Sequence, residues 1–285
     1  MNRLLLFFLL QFPLISFSQK FFLTDDVYSF SNPASKNEQK VFSKILTYNN
    51  FRNPSMFEFG SVGQVKFNLR GFNLGVLMDY NNNSFWQEGK AGGQLGYNFK
   101  INRRFSLSTA LALNLFSNNI HFSNTLTTWN PIHYGVDAGV QLASRNWIIG
   151  VNGINIKSGI QIIDTIQSQP SSAIGVYVSY RFKLDSMWRY SLRPALFIQR
   201  SSNGFNTVNV DVKLQIKKHA ISLGAENRAV FVAYEYSWTR WSLGYALRLQ
   251  NSSLLSNQFD AFGMNLRAMY NLKRRSCKFI GTPSF

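Results

Sequence analysis

The sequence predicts an all-β fold, a closed antiparallel transmembrane β-barrel of about fourteen strands with short periplasmic turns and longer extracellular loops. Three observations predict it. A period of two runs through long segments of the chain. Short links alternate with long polar ones. Charged side chains within the segments keep to one parity.

The period is plainest in Arg103–Asn119. Phe105, Leu107, Thr109, Leu111, Leu113 and Leu115 fall on one parity, and Ser106, Ser108, Ala110, Ala112 and Asn114 on the other. A helix, with its period of 3.6, would spread this pattern around its circumference. The segment also exceeds the roughly 5–6 residues usual in soluble sheets, whereas a tilted membrane strand needs about 9–11. Segments at 41–49, 56–68, 71–80, 89–100, 103–117, 132–144, 146–156, 172–184, 188–199, 206–217, 219–226, 230–239, 241–250 and 261–272 read the same way. Val208, Val210, Val212, Leu214 and Ile216 alternate with Asn209, Asp211, Lys213 and Gln215, and Trp241–Gln250 repeats the device.

The links give the topology. Leu69-Arg70, Ile101-Asn102, Arg145, Asp185–Met187, Lys217-Lys218 and Thr239-Arg240 are tight, whereas Asn81–Glu88, Asn118–Pro131, Lys157–Ser171 and Asn251–Asp260 are long and polar. Sorting of links by length to the two ends is the pattern of outer-membrane barrels, and an even strand number leaves both termini on the periplasmic side. Phe99, Phe105, Trp147, Tyr180, Phe182, Tyr190, Trp238 and Trp241 lie beside the short turns, where an aromatic girdle is expected at the headgroup level.

The second parity carries the charges. Asp79, Asp137, Arg181, Arg193, Asp211, Lys213, Glu235, Arg248 and Arg267 are the lumen-facing candidates, joined by Glu58, Lys66 and Lys90. A Lys or Arg on the lipid side of the midplane costs about 2–4 kcal/mol, so these residues point inward, where opposite signs can pair.

Composition agrees. Aromatic and charged residues each make up 15% of the 285 residues. Mean hydropathy is only −0.11, because alternation averages the two faces. The net charge of +17 would suit a nucleic-acid binder, but the bases gather at strand ends and in turns rather than on one face, so nucleic acid is not an expected partner. Anionic headgroups, a periplasmic protein or a cell-wall-bound partner fit that placement better.

Four regions follow. Residues 1–18 read as a signal peptide, with Arg3 before the apolar run Leu4–Leu14 and Ser16-Phe17-Ser18 ahead of Gln19. Residues 19–40 read as a periplasmic lead-in, extended or looped because of Pro33 and the polar run Ser35–Lys40. Residues 41–272 are the barrel, and 273–285 a basic tail containing Lys273-Arg274-Arg275.

No catalytic or cofactor chemistry is expected. The single cysteine, Cys277, has no partner for an internal disulfide. His121, His133 and His219 show no metal-ligand spacing, and there is neither a nucleophile elbow nor a Walker loop. Gly92, Gly96, Gly135, Gly139 and Gly175 fall on inward positions, where they are expected to ease curvature.

Three stretches resemble the PorP/SprF family of outer-membrane proteins linked to type IX secretion. They are Tyr28–Ala34 (YSFSNPA) with its Asn32-Pro33-Ala34 ending, Gly71–Asn82 (GFNLGVLMDYNN), and Asn146–Asn155 (NWIIGVNGIN). After Ala34 the family pattern continues with a small residue and Gly, whereas Ser35-Lys36 follow here. The resemblance implies a fourteen-strand barrel that helps export or hold secreted cargo at its extracellular loops. It also implies periplasmic contact with secretion and gliding machinery. The alternative from the residues alone is a porin or small-solute channel lined by the lumen charges.

Overall fold

The computed structural model describes residues 23–35, 41–53, 56–69, 71–83, 86–120, 132–158, 161–163, 166–168, 172–185, 189–202, 206–227, 229–250 and 261–272. The signal-peptide and basic-tail readings (1–18 and 273–285) and His121 lie outside these residues.

Among the described residues one helix, α1 (Thr24–Ser31), precedes the sheet. The strands are β1 (Val41–Asn53), β2 (Met56–Leu69), β3 (Phe72–Asn83), β4 (Trp86–Lys100), β5 (Ser106–Ile120), β6 (Ile132–Ala143) and β7 (Trp147–Ser158). A small hairpin follows, β8 (Gln161–Ile163) and β9 (Ile166–Ser168), then β10 (Ala173–Tyr180), β11 (Phe182–Lys183), β12 (Tyr190–Ser201) and β13 (Asn206–Ile216). The chain continues with β14 (His219–Glu226), β15 (Ala229–Ser237), β16 (Trp241–Gln250) and β17 (Ala261–Leu272).

Fourteen long strands form the wall, each antiparallel to its sequence neighbours, with β10 pairing both β7 and β12. β11 continues β10 past Arg181 and pairs with Leu192 and Ser191 of β12. The ring shuts where β1 meets β17, from Val41↔Leu272 to Phe51↔Phe262. Closure leaves no wall strand with an open edge, the condition for a sheet to cross a bilayer.

The two parities face different solvents. On β5, Leu111, Leu113 and Leu115 are outward at 60%, 57% and 54% exposure, while Ser106, Ser108, Ala110 and Asn114 are buried against the lumen. The same apolar outer face runs through Leu74, Val76 and Met78 of β3, Val176 and Val178 of β10, and Leu243 and Tyr245 of β16. At the short-turn end the rings touch: Tyr97 packs edge-on against Phe72 and Phe99, Phe105 meets Trp147, Tyr236 meets Trp238, and Trp241 meets Tyr270. These contacts draw a girdle at one rim.

The structure corrects several boundaries. Asn81–Glu88 is mostly strand: Tyr80 pairs with Gly89 and Asn82 with Gln87, so only residues 84–85 separate β3 from β4. The asparagines there have turn chemistry, but the ladder takes their backbone groups. Likewise Asn118–Ile120 extends β5 against Trp86–Glu88. β5 starts at Ser106 rather than 103, because the Asn102 side chain accepts the Arg104 and Phe105 N–H groups, each at 2.8 Å, and holds a wider turn. Residues 157–171 contain the β8–β9 hairpin. Links on the long-loop side are therefore uneven, and β1–β5 stand 12 to 15 residues long.

Leu113 sits at the middle of β5, outward. Leu113→Arg is expected to cost about 2–4 kcal/mol of folding free energy in lipid vesicles, read by urea titration. A loss below about 0.5 kcal/mol would contradict a lipid-facing position.

Candidate functional site

The described part of the segment read as a lead-in, residues 23–35, is inside the barrel. Its core is α1, not an extended loop. Asp25 and Asp26 occupy the first turn, the favourable place for acids on a helix dipole. Val27 N–H bonds to Leu23 O at 3.0 Å and Asn32 N–H to Tyr28 O at 2.9 Å. Pro33 forces the end, since the residue before a proline avoids the helical region, and Asn32 is extended (φ −104°, ψ 108°). Its Oδ1 then accepts the Ala34 N–H at 2.8 Å, closing a local turn. Eight residues are too few to hold a helix alone in water, so the lumen wall supplies the stability.

The acids of α1 meet bases on β1, β12 and β17. Asp26 is buried between Lys44 Nζ of β1 at 2.5 Å and Arg267 of β17 at 3.0 Å. Arg267 also pairs with Glu235 of β15, which Lys213 of β13 reaches at 2.7 Å. Asp25 pairs with Arg193 of β12 and accepts the Tyr177 hydroxyl at 2.5 Å. Asp211 of β13 accepts the Thr24 N–H at 2.8 Å, completing the first turn. Five of the strand charges singled out by parity (Arg193, Asp211, Lys213, Glu235 and Arg267) thus gather around one helix end.

The rest of the segment is held by ring stacking, apolar packing and hydrogen bonds, including those from Lys44 and Lys66. The Tyr28 ring stacks on Tyr177 at 4.0 Å and 8°, and its hydroxyl donates to Gln141 Oε1 at 2.7 Å. Lys44 donates to Ser29 Oγ at 2.7 Å and lies over the Phe30 ring. Phe30 packs on Leu46, Tyr48, Val62 and Leu77, and Leu23 on Phe231, Ala233 and Ala246. Asn32 Nδ2 reaches Val151 O at 3.3 Å, and Lys66 Nζ donates to Ser35 O at 3.0 Å and to Ser35 Oγ at 2.5 Å. Of the motif residues, Asn32 thus bonds to the wall, Ala34 is fully buried, and Pro33 ends the helix.

Two glycines make room for this. A Cβ on Gly139 would stand 1.9 Å from Asn32 Oδ1, and one on Gly150 would stand 2.1 Å from the Tyr28 hydroxyl. The role expected for Gly139, easing curvature, gives way to close approach of a second piece of chain.

Other inward charges lie apart from α1. Asp137 sits at the register shift between β6 and β7, where it accepts the Asn155 N–H at 2.8 Å and Asn114 Nδ2 at 2.7 Å and pairs with Lys90 at 3.3 Å. Arg248 pairs with Glu226 at 3.2 Å, and Arg181 donates to Gln215 Oε1 at 2.8 Å. Asp79 is inward on β3, opposite Lys90. Parity found these strand charges but could not find Asp25, Asp26, Tyr28 or Tyr177, nor group the strand charges into a site. The one available signal was the adjacent pair Asp25-Asp26 in a chain with 13 acids against 30 bases.

Burial by itself raises the Asp26 carboxyl, but Arg267 and Lys44 outweigh it and hold its pKa below the ordinary 3.8. A depressed carboxylate contributes stability in full above its unbound pKa and loses it as pH falls through the docked value. Docking of α1 should therefore persist to about pH 4 and fail in stronger acid. Asp26→Asn, which leaves Lys44 and Arg267 buried beside a neutral group, should weaken docking by about 3 kcal/mol at neutral pH. Gly150→Val should displace Tyr28 and leave the wall paired. Chymotrypsin cleavage after Tyr28 reads both substitutions: the intact protein should resist, and each variant should be cut at least about tenfold faster. Equal resistance would contradict the lumen placement.

Comparison with solved structures returns outer-membrane proteins. The toluene transporter TodX of Pseudomonas putida aligns with TM-score 0.56 at 8% identity, over 89% of this chain and 95% of that one. A FadL homologue of Pseudomonas aeruginosa gives 0.52 at 10% identity, over 86% and 93%. CdiB of Acinetobacter baumannii gives 0.53 at 8% identity, over 81% of this chain, which spans 60% of CdiB. At such identities the likeness shows the barrel fold alone. Comparison with curated proteins gives no match. The description of the type IX secretion system membrane proteins PorP/SprF matches residues 28–267, from Tyr28 of the plug helix to Arg267 of the last strand. The chain belongs to the PorP/SprF family of type IX secretion system membrane proteins, and its fold and family point to the outer membrane.

Proposed function

We propose that this barrel serves the export or surface attachment of secreted proteins, without catalysing a reaction. The secretory leader read at 1–18 would send it to the outer membrane of a Gram-negative cell, with cargo meeting the long-loop end around 118–131, 157–171 and 251–260. The short-turn end, exposing Arg103, Arg104, Arg145, Lys183, Lys217, Lys218 and Arg240, would face a periplasmic partner or the cell wall.

The observation that supports this over a solute channel is the occupied short-turn half of the lumen, which residues 23–35 cross from Lys44 and Lys66 to Arg193. Two cavities beside the plug, one against Asp26 and Arg267 and one against Phe30 and Pro33, hold about 10 Å³ each, room for about one water. A porin needs a continuous aqueous path.

Pull-down of the tagged protein from native outer membranes, read by mass spectrometry, tests the reading. Secreted proteins and periplasmic secretion components should co-purify, and replacement of 251–260 by a short Gly/Ser link should remove the secreted proteins only. A barrel that isolates alone and conducts steadily in planar bilayers would overturn it in favour of the channel.

A further inference from the structure

Three features of the plugged lumen concern the segment that fills it. The first is that the wall is complete without it. Every wall strand already pairs with two neighbours, and β1 closes on β17. Among the described residues, the bonds between 23–35 and the wall run through a side chain on at least one partner, as in Thr24–Asp211, Tyr28–Gln141, Asn152–Ser31 and Lys66–Ser35. The segment is bound to the wall and is no part of its ladder.

The second is charge. Among the described residues, the charged wall groups bonded to the segment are Lys44, Lys66, Arg193 and Arg267 against Asp211, while Lys213 and Glu235 pair with each other behind Arg267. The carboxylates of Asp25 and Asp26 offset most of that surplus. Without them the site would hold buried cations short of anions, a costly arrangement that favours entry of another acidic group.

The third is imperfect fit. Gln64 and Asn152 each spend their amide N–H on the segment, at Ser29 O and Ser31 O, yet their buried carbonyl oxygens Oε1 and Oδ1 have no partner. Each is a group that a competing segment with a donor at that place would satisfy.

We infer that the short-turn half of the lumen is a peptide-binding site. Residues 23–35 occupy it as a tethered ligand, and an acidic, tyrosine-bearing segment of another protein can take it in their place. The ligand chemistry is read from what is bound: two adjacent carboxylates for the Lys44–Arg267 and Arg193 positions, then an aromatic ring two residues later for the face of Tyr177, seated over Gly150. Entry is from the short-turn end, where Val41 begins the wall. The site does not depend on the secretion reading, since a solute channel could be gated by the same exchange.

The test uses a fluorescein-labelled peptide of residues 23–35 and fluorescence anisotropy on the purified barrel. Two forms free the site: a chain lacking residues 19–35, and a full chain folded intact, cut at a protease site placed within 36–40, and washed to release the segment. Either should bind the peptide saturably, and a peptide carrying Asp25→Asn and Asp26→Asn should bind at least tenfold more weakly. The intact chain should bind at least tenfold more weakly than the freed forms, because its own segment competes at high effective concentration. If the deleted chain does not fold, the cut chain carries the test. A segment that cannot be washed from the cut chain, a freed barrel that ignores the peptide, or equal binding of the neutral peptide would each overturn the inference.

Discussion

The ladder between β1 and β17, from Val41↔Leu272 to Phe51↔Phe262, is the contact on which the rest depends. In a hydrocarbon solvent every backbone N–H and C=O must find a partner within the protein, and an open sheet would leave two rows of them unpaired. Closing the ring removes both rows at once. It also separates two environments along each strand, so that Leu111, Leu113 and Leu115 can face lipid while Ser108 and Asn114, one residue removed in parity, face a polar interior. The charges inside are tolerable because the same closure shields them from lipid and brings distant strands within ion-pair reach.

That enclosed interior is what gives α1 its structure. Its anchors are long in sequence and short in space: Asp26 and Arg267 are separated by 241 residues yet stand 3.0 Å apart. Buried ion pairs of this kind add little net stability, but they penalise every arrangement that leaves one member alone. Asp26 therefore places the helix more than it stabilises the barrel. Gly139 and Gly150 then set how closely it approaches the wall, and Tyr28 on Tyr177 fixes its rotation. Together these contacts close off the short-turn half of the lumen with a piece of the chain's own sequence.

The barrel was legible in the sequence because each strand records its two solvents with a period of two, even where mean hydropathy is silent. Strand ends were less so. Asn81–Asn83 carries turn-forming side chains, yet the ladder with Glu88 and Gln87 outweighs that local preference. The turn at 101–105 shows the reverse, with one Asn102 side chain delaying β5 by several residues. The site was legible only in half. Inward parity marked Arg193, Asp211, Lys213, Glu235 and Arg267, but nothing local to Thr24–Ser31 says that they converge there. The helix is short, Tyr177, Arg193, Asp211 and Arg267 lie more than a hundred residues away, and Pro33 reads equally as the end of a helix or the bend of a loop.

The occupied lumen is tested most sharply by placing a photo-crosslinking phenylalanine analogue at Phe30 and irradiating native outer membranes. The ring packs against the cluster of Leu46, Tyr48, Val62 and Leu77, so intramolecular products should map by mass spectrometry to β1, β2 and β3. Products confined to other proteins, or none within the barrel, would contradict a lumen filled by its own amino-terminal helix.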